Sequence, residues 1–361
     1  MKLFGFLALL LISAMLTFTA CDLDGGSGGV GDGGSPPTSF DSADTPGDKV
    51  TVTAGSVTAD MVYANNQESI TFPTNPWDNW THELTHKFFM AETAVTWALW
   101  KEVYDWAVHE DRGANAYTFQ NPGRMGSHVN EPAMTEQHPV TVVSWRDAII
   151  WCNALSEMTG EAVVYVHKDT GAVLRSSADD AYGAGVNVEN VVADEHDTLA
   201  RKGYRLPTSM EWEMAARYRG SDDTNAVTIT VNGVDFNAMT TKWTKGDSAS
   251  GATANSDDSN ATGEVAWYVL NTKDQPPEGA ATSQPVSGSD SISGRKPNAL
   301  GLYDMSGNVM EWCFTIHLTS YRILRGGGWG YSAYTLEVGE WGADYPYVET
   351  ANVGFRFART Q

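Results

Sequence analysis

Two stretches of this chain carry residue types at spacings that could do chemistry. His82-Glu83-Leu84-Thr85-His86 fits the HExxH pattern, in which two imidazoles one helical turn apart bind zinc and the glutamate acts on a metal-bound water. That chemistry needs a helix. The surrounding WTHELTHKFFMAET has β-branched and aromatic residues and no helix cap, so a strand is expected. In a strand His82 and His86 would lie four rises of about 3.3 Å apart, too far to share one zinc, and the match reads as chance. The second stretch is LGLYDMSGNVMEWC, residues 300–313. Asp304 and Glu311 supply carboxylate oxygens and the turn Ser306-Gly307-Asn308 supplies carbonyls, hard donors of the kind that suit Ca²⁺. The alternative is that Glu311 caps the turn and Asp304 is solvated. No GxSxG elbow, Walker motif or dinucleotide glycine pattern occurs. Gly326-Gly327-Gly328 follows the β-prone YRILR instead of preceding a helix, which points to close backbone packing or a bulge.

Three helices and several short strands must position these residues. The first helix should start after Thr96, an N-cap, and run WALWKEVYDWAV with Trp100, Val103, Tyr104 and Ala107 on one face. The second should follow Ser144 as WRDAIIWCNALSEM, bury Ala148, Trp151, Cys152 and Leu155, and stop before Gly160. The third follows Pro207, where Thr208 and Glu211 form a capping box and Trp212, Ala215 and Ala216 turn inward. VVYVHKDTGAVLRSS reads as a hairpin around Asp169-Thr170-Gly171. Residues 220 to about 263, rich in Thr, Ser, Asn, Asp and Gly, read as a long surface excursion. With no repeat of 20 to 50 residues, a single α+β domain is the simplest account. Cys152 and Cys313 lie beside Trp151 and Trp312 in apolar surroundings; buried free thiols are expected, a disulfide being the alternative.

Composition bounds the partners. The 361 residues include 45 acidic and 23 basic ones, a formal charge of -22. Such a field repels phosphate backbones and argues against nucleic acid. The hydrophobic fraction of 42% permits a full core, and 13 Trp, 14 Tyr and 12 Phe suit both irregular cores and contact surfaces. The opening MKLFGFLALLLISAMLTFTAC reads as a signal peptide over residues 1–20; a spanning helix is the alternative, and the apolar run is borderline for the roughly 20 residues it needs. Thr19-Ala20-Cys21 resembles a bacterial lipobox with Phe18 where Leu is usual, so Cys21 is expected to carry the lipid that anchors the chain to a membrane. Residues 21–49, mostly Gly, Ser, Asp and Pro, are too polar to bury anything and read as a flexible linker to a folded head over 50–361.

Several segments match a known family in order: YRLPTSMEWEMAAR (204–217), NALGLYDMSGNVMEW (298–312), LRGGGW (324–329) and NVGFRFAR (352–359), preceded by FFMAETAVTWALW and VTVVSWRDAIIWCNALSEMTG. Together they resemble the formylglycine-generating enzyme, or sulfatase-modifying factor, domain, a variant of the C-type lectin fold. The resemblance implies an α+β C-type lectin fold of that subtype with much irregular structure. It does not carry the activity. The family's copper-dependent oxidases have two cysteines shortly after the glycine turn; here those positions hold Tyr331 and Leu336, and no cysteine follows Cys313, so Cu(I) has no thiolate pair. The family's calcium site maps onto Asp304, the carbonyls of Gly307 and Val309, and Glu311, with Asp304 where Asn is common. No cofactor is required; a structural calcium is the one the resemblance implies.

A second branch of the family uses the fold to display a carboxy-terminal segment varied by a diversity-generating retroelement, and the lipobox, linker and missing cysteines resemble its Treponema variable protein type. The variable segment would cover about residues 325–356. Mutating the adenines of AAC codons yields Gly, Tyr, Ser, Thr, Ala, Asp, Val or Asn and never Trp or Glu. On that test Trp329, Glu337, Glu340, Trp341 and Glu349 look like fixed scaffold. Gly330, Tyr331, Ser332, Tyr334, Thr335, Gly342, Ala343, Asp344, Tyr345, Val348, Thr350, Ala351 and Asn352 are admissible variable, ligand-binding positions. Tyr, Ser, Gly and Asn are also the residues of adaptable binding loops. The resemblance therefore implies a lipid-anchored protein of the bacterial cell envelope, displayed on the outer surface. Its head would bind a variable ligand, a protein on another cell or a host, without catalysis. The alternatives are a metal-dependent enzyme of the same family and a structural envelope protein.

Overall fold

A computed structural model of the chain describes residues 39–67, 70–73, 81–127, 134–178, 198–220, 230–231, 234–235, 243–244, 246–272, 283–288 and 294–361. The expected signal peptide and lipobox, Cys21 included, lie outside these residues. The described chain begins at Ser39, ahead of the expected end of the linker at residue 49. The Phe40 ring meets Phe89 edge-on at 4.9 Å, Ala43 is buried, and the Gln361 side chain donates to the carbonyls of Phe40 and Ala43 at 3.0 and 2.9 Å. The two ends of the head are thus tied together.

In chain order the strands are β1 (Lys49–Ala54), β2 (Val57–Asn65), β3 (Ile70–Pro73), β4 (Thr81–Leu84), β5 (Phe88–Ala91), β6 (Arg124–Met125), β7 (Val140–Thr141), β8 (Tyr204–Arg205), β9 (Thr230–Val231), β10 (Val234–Asp235), β11 (Met310–His317), β12 (Tyr321–Arg325), β13 (Trp341–Asp344), β14 (Val353–Gly354) and β15 (Ala358–Thr360). The helices are α1 (Trp97–Val108), α2 (Trp145–Thr159), α3 (Ser209–Arg217), α4 (Ser259–Val265) and α5 (Val269–Thr272). An antiparallel five-stranded sheet runs β1-β2-β5-β15-β8. Strand β1 alternates exposed and buried residues, placing Val50, Val52 and Ala54 inward as a half-buried strand must. A second sheet runs β13-β12-β11-β14; its β11–β14 pair is parallel and the others are antiparallel. This second sheet carries the candidate segment.

The helices start and stop where the sequence says. Thr96 Oγ1 accepts from the Leu99 amide at 3.2 Å, Ser144 and Asp147 form a capping box, and Gly160 ends α2 at φ +81°, the left-handed stop that glycine allows. Trp100, Val103 and Ala107 are buried as expected, with Tyr104 half-buried. Helix α2 departs from the single apolar face expected: every residue from Trp145 to Ser156 is buried, because α2 packs against α1, β1, β8 and β11 at once. Trp100 and Trp151 stack at 5.9 Å and Phe355 meets both edge-on. Cys152 and Cys313 are free, buried thiols, and burial pushes the Cys152 thiol up from its ordinary value.

Two expectations need correction. The 163–177 hairpin is reduced to one bridge, Val166 to Val173, because only the residues next to the turn pair. The excursion from 220 lies partly outside the described residues, but its later part is built into the head: Ala249 and Ala252 are buried. Asp258 caps α4 by accepting from the amides of Asn260 and Ala261. Polar residues that cap and turn were mistaken there for solvent-facing ones.

Candidate functional site

The carboxy-terminal segment leaves β12 through the triple glycine. Gly326 (φ +90°) and Gly327 (φ +63°) turn the chain where a Cβ would stand 2.9 Å from the Met305 carbonyl and 2.6 Å from that of Thr335, so only glycine fits. From there to Asn352 the regular structure is one 3-10 turn, Ala333–Leu336, and the short strand β13. Irregular chain keeps one conformation only if its amides and carbonyls find partners, and here they do. The Trp329 amide donates to Asn308 O, and the Trp329 carbonyl accepts from Thr272 Oγ1. The carbonyls of Tyr331, Leu336, Pro346, Thr350 and Asn352 accept from Val269 N, Ser306 Oγ, Arg146 N, Val142 N and Met310 N. The amides of Val338 and Gly339 donate to Ser248 O and Gly246 O at 3.0 Å.

Arg325, buried on β12, is the central clamp. Its Nη1 donates to Glu340 O at 3.1 Å and more weakly to Val338 O and Gly339 O, its Nε to Ser209 Oγ, and its Nη2 to Glu213 Oε2 at 2.7 Å. Leu336 and Val338 sink into the core from the segment's own backbone. Leu336 packs with Ala249, Ala252, Val265, Ala266 and Tyr268. The two positions where the oxidases have cysteines therefore do different jobs: Leu336 is core, and Tyr331 lies half-buried with its hydroxyl accepting from Asn352 Nδ2 at 3.0 Å.

The side chains behave differently from the main chain. None of the admissible variable positions, Gly330, Tyr331, Ser332, Tyr334, Thr335, Gly342, Ala343, Asp344, Tyr345, Val348, Thr350, Ala351 and Asn352, is buried. Tyr334 is 55% exposed and Tyr345 37%. Trp341, expected as scaffold, is 44% exposed; it sits on the edge strand β13 with its ring 4.7 Å from His317, so its role is at the surface. Trp329 is half-buried and fixed through its main chain. Two tyrosines were missed. Tyr347, 51% exposed, stacks on Tyr345 at 5.3 Å, and Tyr345 in turn meets Tyr321 at 4.4 Å with their hydroxyls 2.9 Å apart. Tyr347 passes the same codon test and could have been found; Tyr321 precedes the segment and reaches it only through the β12–β13 register.

The two carboxylates of the expected calcium set are engaged by groups of the protein. Both Glu311 oxygens are taken: Oε2 accepts from Arg356 Nε and Trp212 Nε1 at 2.7 Å each, and Oε1 from Arg356 Nη2 at 2.8 Å. Asp304 spends its two oxygens on the Ser287 amide and hydroxyl. Burial raises the Asp304 carboxyl, and the Ser287 bonds only partly offset this. Gly307 and Val309 lie between these two carboxylates in sequence, Gly307 at φ +80° with Trp267 packed against it. A calcium ion on Glu311 would compete there with a buried guanidinium, and the motif itself holds an ion pair and a turn. Among the described residues no three His, Cys, Asp or Glu side chains converge as metal ligands. The HExxH stretch is not helical: His82, Glu83 and Leu84 end β4, and His86 lies just beyond it. His86 Nε2 lies 2.7 Å from Glu211 Oε1, beside the Arg205–Glu211 pair.

Comparison with known proteins follows the same lines. A family model described as the sulfatase-modifying factor enzyme 1-like domain matches residues 37–361. A curated protein named chaperone protein LppX, from Paenibacillus barcinonensis, is 31% identical over 214 residues, which is 56% of this chain and 63% of that protein's length. The chain thus spans less than two thirds of that relative. Treponema denticola variable protein 1 shares the fold with a TM-score of 0.56 at 25% identity, over 87% of this chain and 99% of that one. The crystal structure of CarF does so with a TM-score of 0.57 at 25% identity, over 84% and 98%.

Proposed function

The chain belongs to the sulfatase-modifying factor enzyme 1-like domain family, and from that premise we propose that its head is a non-catalytic binding module. The ligand is held by the carboxy-terminal segment and is a protein. The chain is anchored in the bacterial cell envelope through lipid on Cys21 and faces outward. The segment's side chains are diversified by a retroelement, which changes the ligand and leaves the fold in place.

One observation carries this reading: the segment's main chain is bonded to the head at intervals while none of the thirteen admissible positions is buried, Gly330, Ser332, Tyr334 and Tyr345 being exposed and the rest half-buried. A scaffold of that kind tolerates side-chain change, because surface substitutions that break no cap, core or network usually stay within about 0.5 kcal/mol. The likeness to Treponema denticola variable protein 1 over most of both chains supports it, and a relative named a chaperone protein favours a protein as ligand. The test is to substitute Ser332, Tyr334, Thr335, Tyr345, Thr350 and Ala351 singly and in combination, then measure melting and selected binders. Unchanged melting with altered binder sets is expected. If most variants unfold the head, these positions are core and the reading fails.

A further inference from the structure

The face formed by the segment has a marked chemical bias. Residues 330–352 contain four carboxylates, Glu337, Glu340, Asp344 and Glu349, and no lysine, arginine or histidine. The cations nearby are already engaged beneath it. Arg325 pairs with Glu213, Arg322 lies with its guanidinium carbon 4.0 Å from the centre of the Trp145 ring, and Arg146 lies 5.7 Å from the Tyr347 ring on its inner side. Of the carboxylates, Glu337 is buried and accepts from Ser256, so Glu340, Asp344 and Glu349 make the outward field.

The exposed aromatic rings divide into two groups. Tyr321, Tyr345 and Tyr347 stack on one another and on Arg146, so their faces are largely taken. Tyr334 and Trp341 do not join that ladder. The Tyr334 hydroxyl donates to Glu340 Oε1 at 3.2 Å, and Trp341 follows Glu340 directly in the chain. A carboxylate with one exposed ring bonded to it, followed in the chain by a second exposed ring that lies 4.7 Å from His317, supplies the groups that hold a guanidinium or ammonium: ring faces that attract a cation and an anion that pairs with it.

Resting on the binding role proposed above, we infer that the protein ligand is recognised through a cationic side chain, arginine or lysine on an exposed segment, that docks on Tyr334, Glu340 and Trp341. Asp344 and Glu349 favour further positive charge around it, and like-charged partners are repelled. Glu340 and Trp341 are residues that adenine mutagenesis of AAC codons cannot supply. The cationic requirement is therefore constant, while the surrounding positions choose among cationic ligands.

The test uses the whole chain in detergent and fluorescently labelled peptides of alternating Arg-Gly and alternating Glu-Gly, followed by anisotropy. The Arg-Gly peptide should bind and the Glu-Gly peptide should not. Glu340→Gln and Trp341→Ala should each weaken binding about two- to fivefold, as exposed cation–π and ion-pair contacts do. Glu110→Gln, which removes the same charge from the turn after α1, should leave it unchanged. Equal binding of the two peptides, no binding of Arg-Gly, or an equal loss in Glu110→Gln would overturn the inference, the last by reducing it to the general field of an acidic protein. Selecting binders from a random-peptide library separates this failure from that of the binding role. Binders lost on Trp341→Ala and Tyr345→Ala but lacking Arg and Lys sink only the cationic preference; binders indifferent to both variants sink both.

Discussion

Replacing Glu311 by alanine separates the ion-pair account of the 300–313 motif from the calcium account. Glu311 and Arg356 are at most 1% exposed, and the carboxylate takes two hydrogen bonds from the guanidinium and one from Trp212 Nε1. Glu311→Ala would leave Arg356 buried and charged with only carbonyls around it, those of Ala91, Glu92 and Tyr303. Breaking one side of a buried pair costs about 3–5 kcal/mol. For a domain spanning residues 37–361 each kcal/mol moves the melting temperature by roughly 1.5 °C, so a fall of roughly 4–8 °C is expected by calorimetry. The double variant Glu311→Met with Arg356→Met should recover much of this, since no lone charge remains. Wild-type melting should be the same in EGTA as in millimolar Ca²⁺. A fall of under about 2 °C in Glu311→Ala, or a calcium-dependent rise in the wild type that this variant abolishes, would refute the reasoning.

Leu336→Ala should destabilise the head by about 2–5 kcal/mol, as emptying a buried leucine site does, whereas Tyr334→Ala, two residues before it in the same short turn, should stay within about 0.5 kcal/mol; denaturant melts compare them. Stability should fall in acid through Glu211: burial alone would raise its carboxyl, but the Arg205 charge and the hydrogen bonds of Arg205 and His86 outweigh that and hold it well below the usual carboxylate range. A depressed folded value means the contribution is complete above the unfolded value of about 4.3 and is lost as pH falls below it, so Glu211→Gln should be less stable at pH 7 and flatter between pH 5 and 2. Cys152 and Cys313 should react with a thiol reagent only on the timescale of unfolding, as read by the rate of label uptake.

What the sequence made legible was local. Caps at Thr96, Ser144 and Thr208 and the glycine stop at Gly160 involve partners within four residues, so their hydrogen bonds can be read from spacing alone. The extent of the carboxy-terminal segment was legible because composition and family motif bracketed one continuous stretch. What escaped depends on long-range pairing. The Glu311–Arg356 pair joins residues 45 apart in sequence, and nothing local distinguishes a carboxylate that binds a cation from one that binds a guanidinium. Trp341 reads as fixed scaffold because adenine mutagenesis of AAC codons cannot supply tryptophan, a test that says nothing of burial; its exposed place on an edge strand follows only from the order β13-β12-β11-β14. Helix α2 has more than one apolar face to fill because both sheets reach it, which no periodicity in its own sequence records.

The manner in which the segment is fixed bears on how it can bind anything. Holding a residue in one backbone conformation costs about 1–2 kcal/mol of entropy, and an irregular segment lacks the regular ladder that normally offsets this. If the cost were met only on binding, affinity would be lost with each newly ordered residue. In this head it is met beforehand: Arg325 bonds to the carbonyl of Glu340, Ser306 to that of Leu336, and Ser248 and Gly246 receive the amides of Val338 and Gly339. All of these bonds, like those of Arg146, Val142 and Met310 to the carbonyls of Pro346, Thr350 and Asn352, use main-chain groups of the segment. They survive a change of side chain at any admissible position. On the proposed binding role, each set of side chains would therefore meet a ligand from a backbone already ordered, and affinity would depend on contacts made at the surface with little further ordering of the chain.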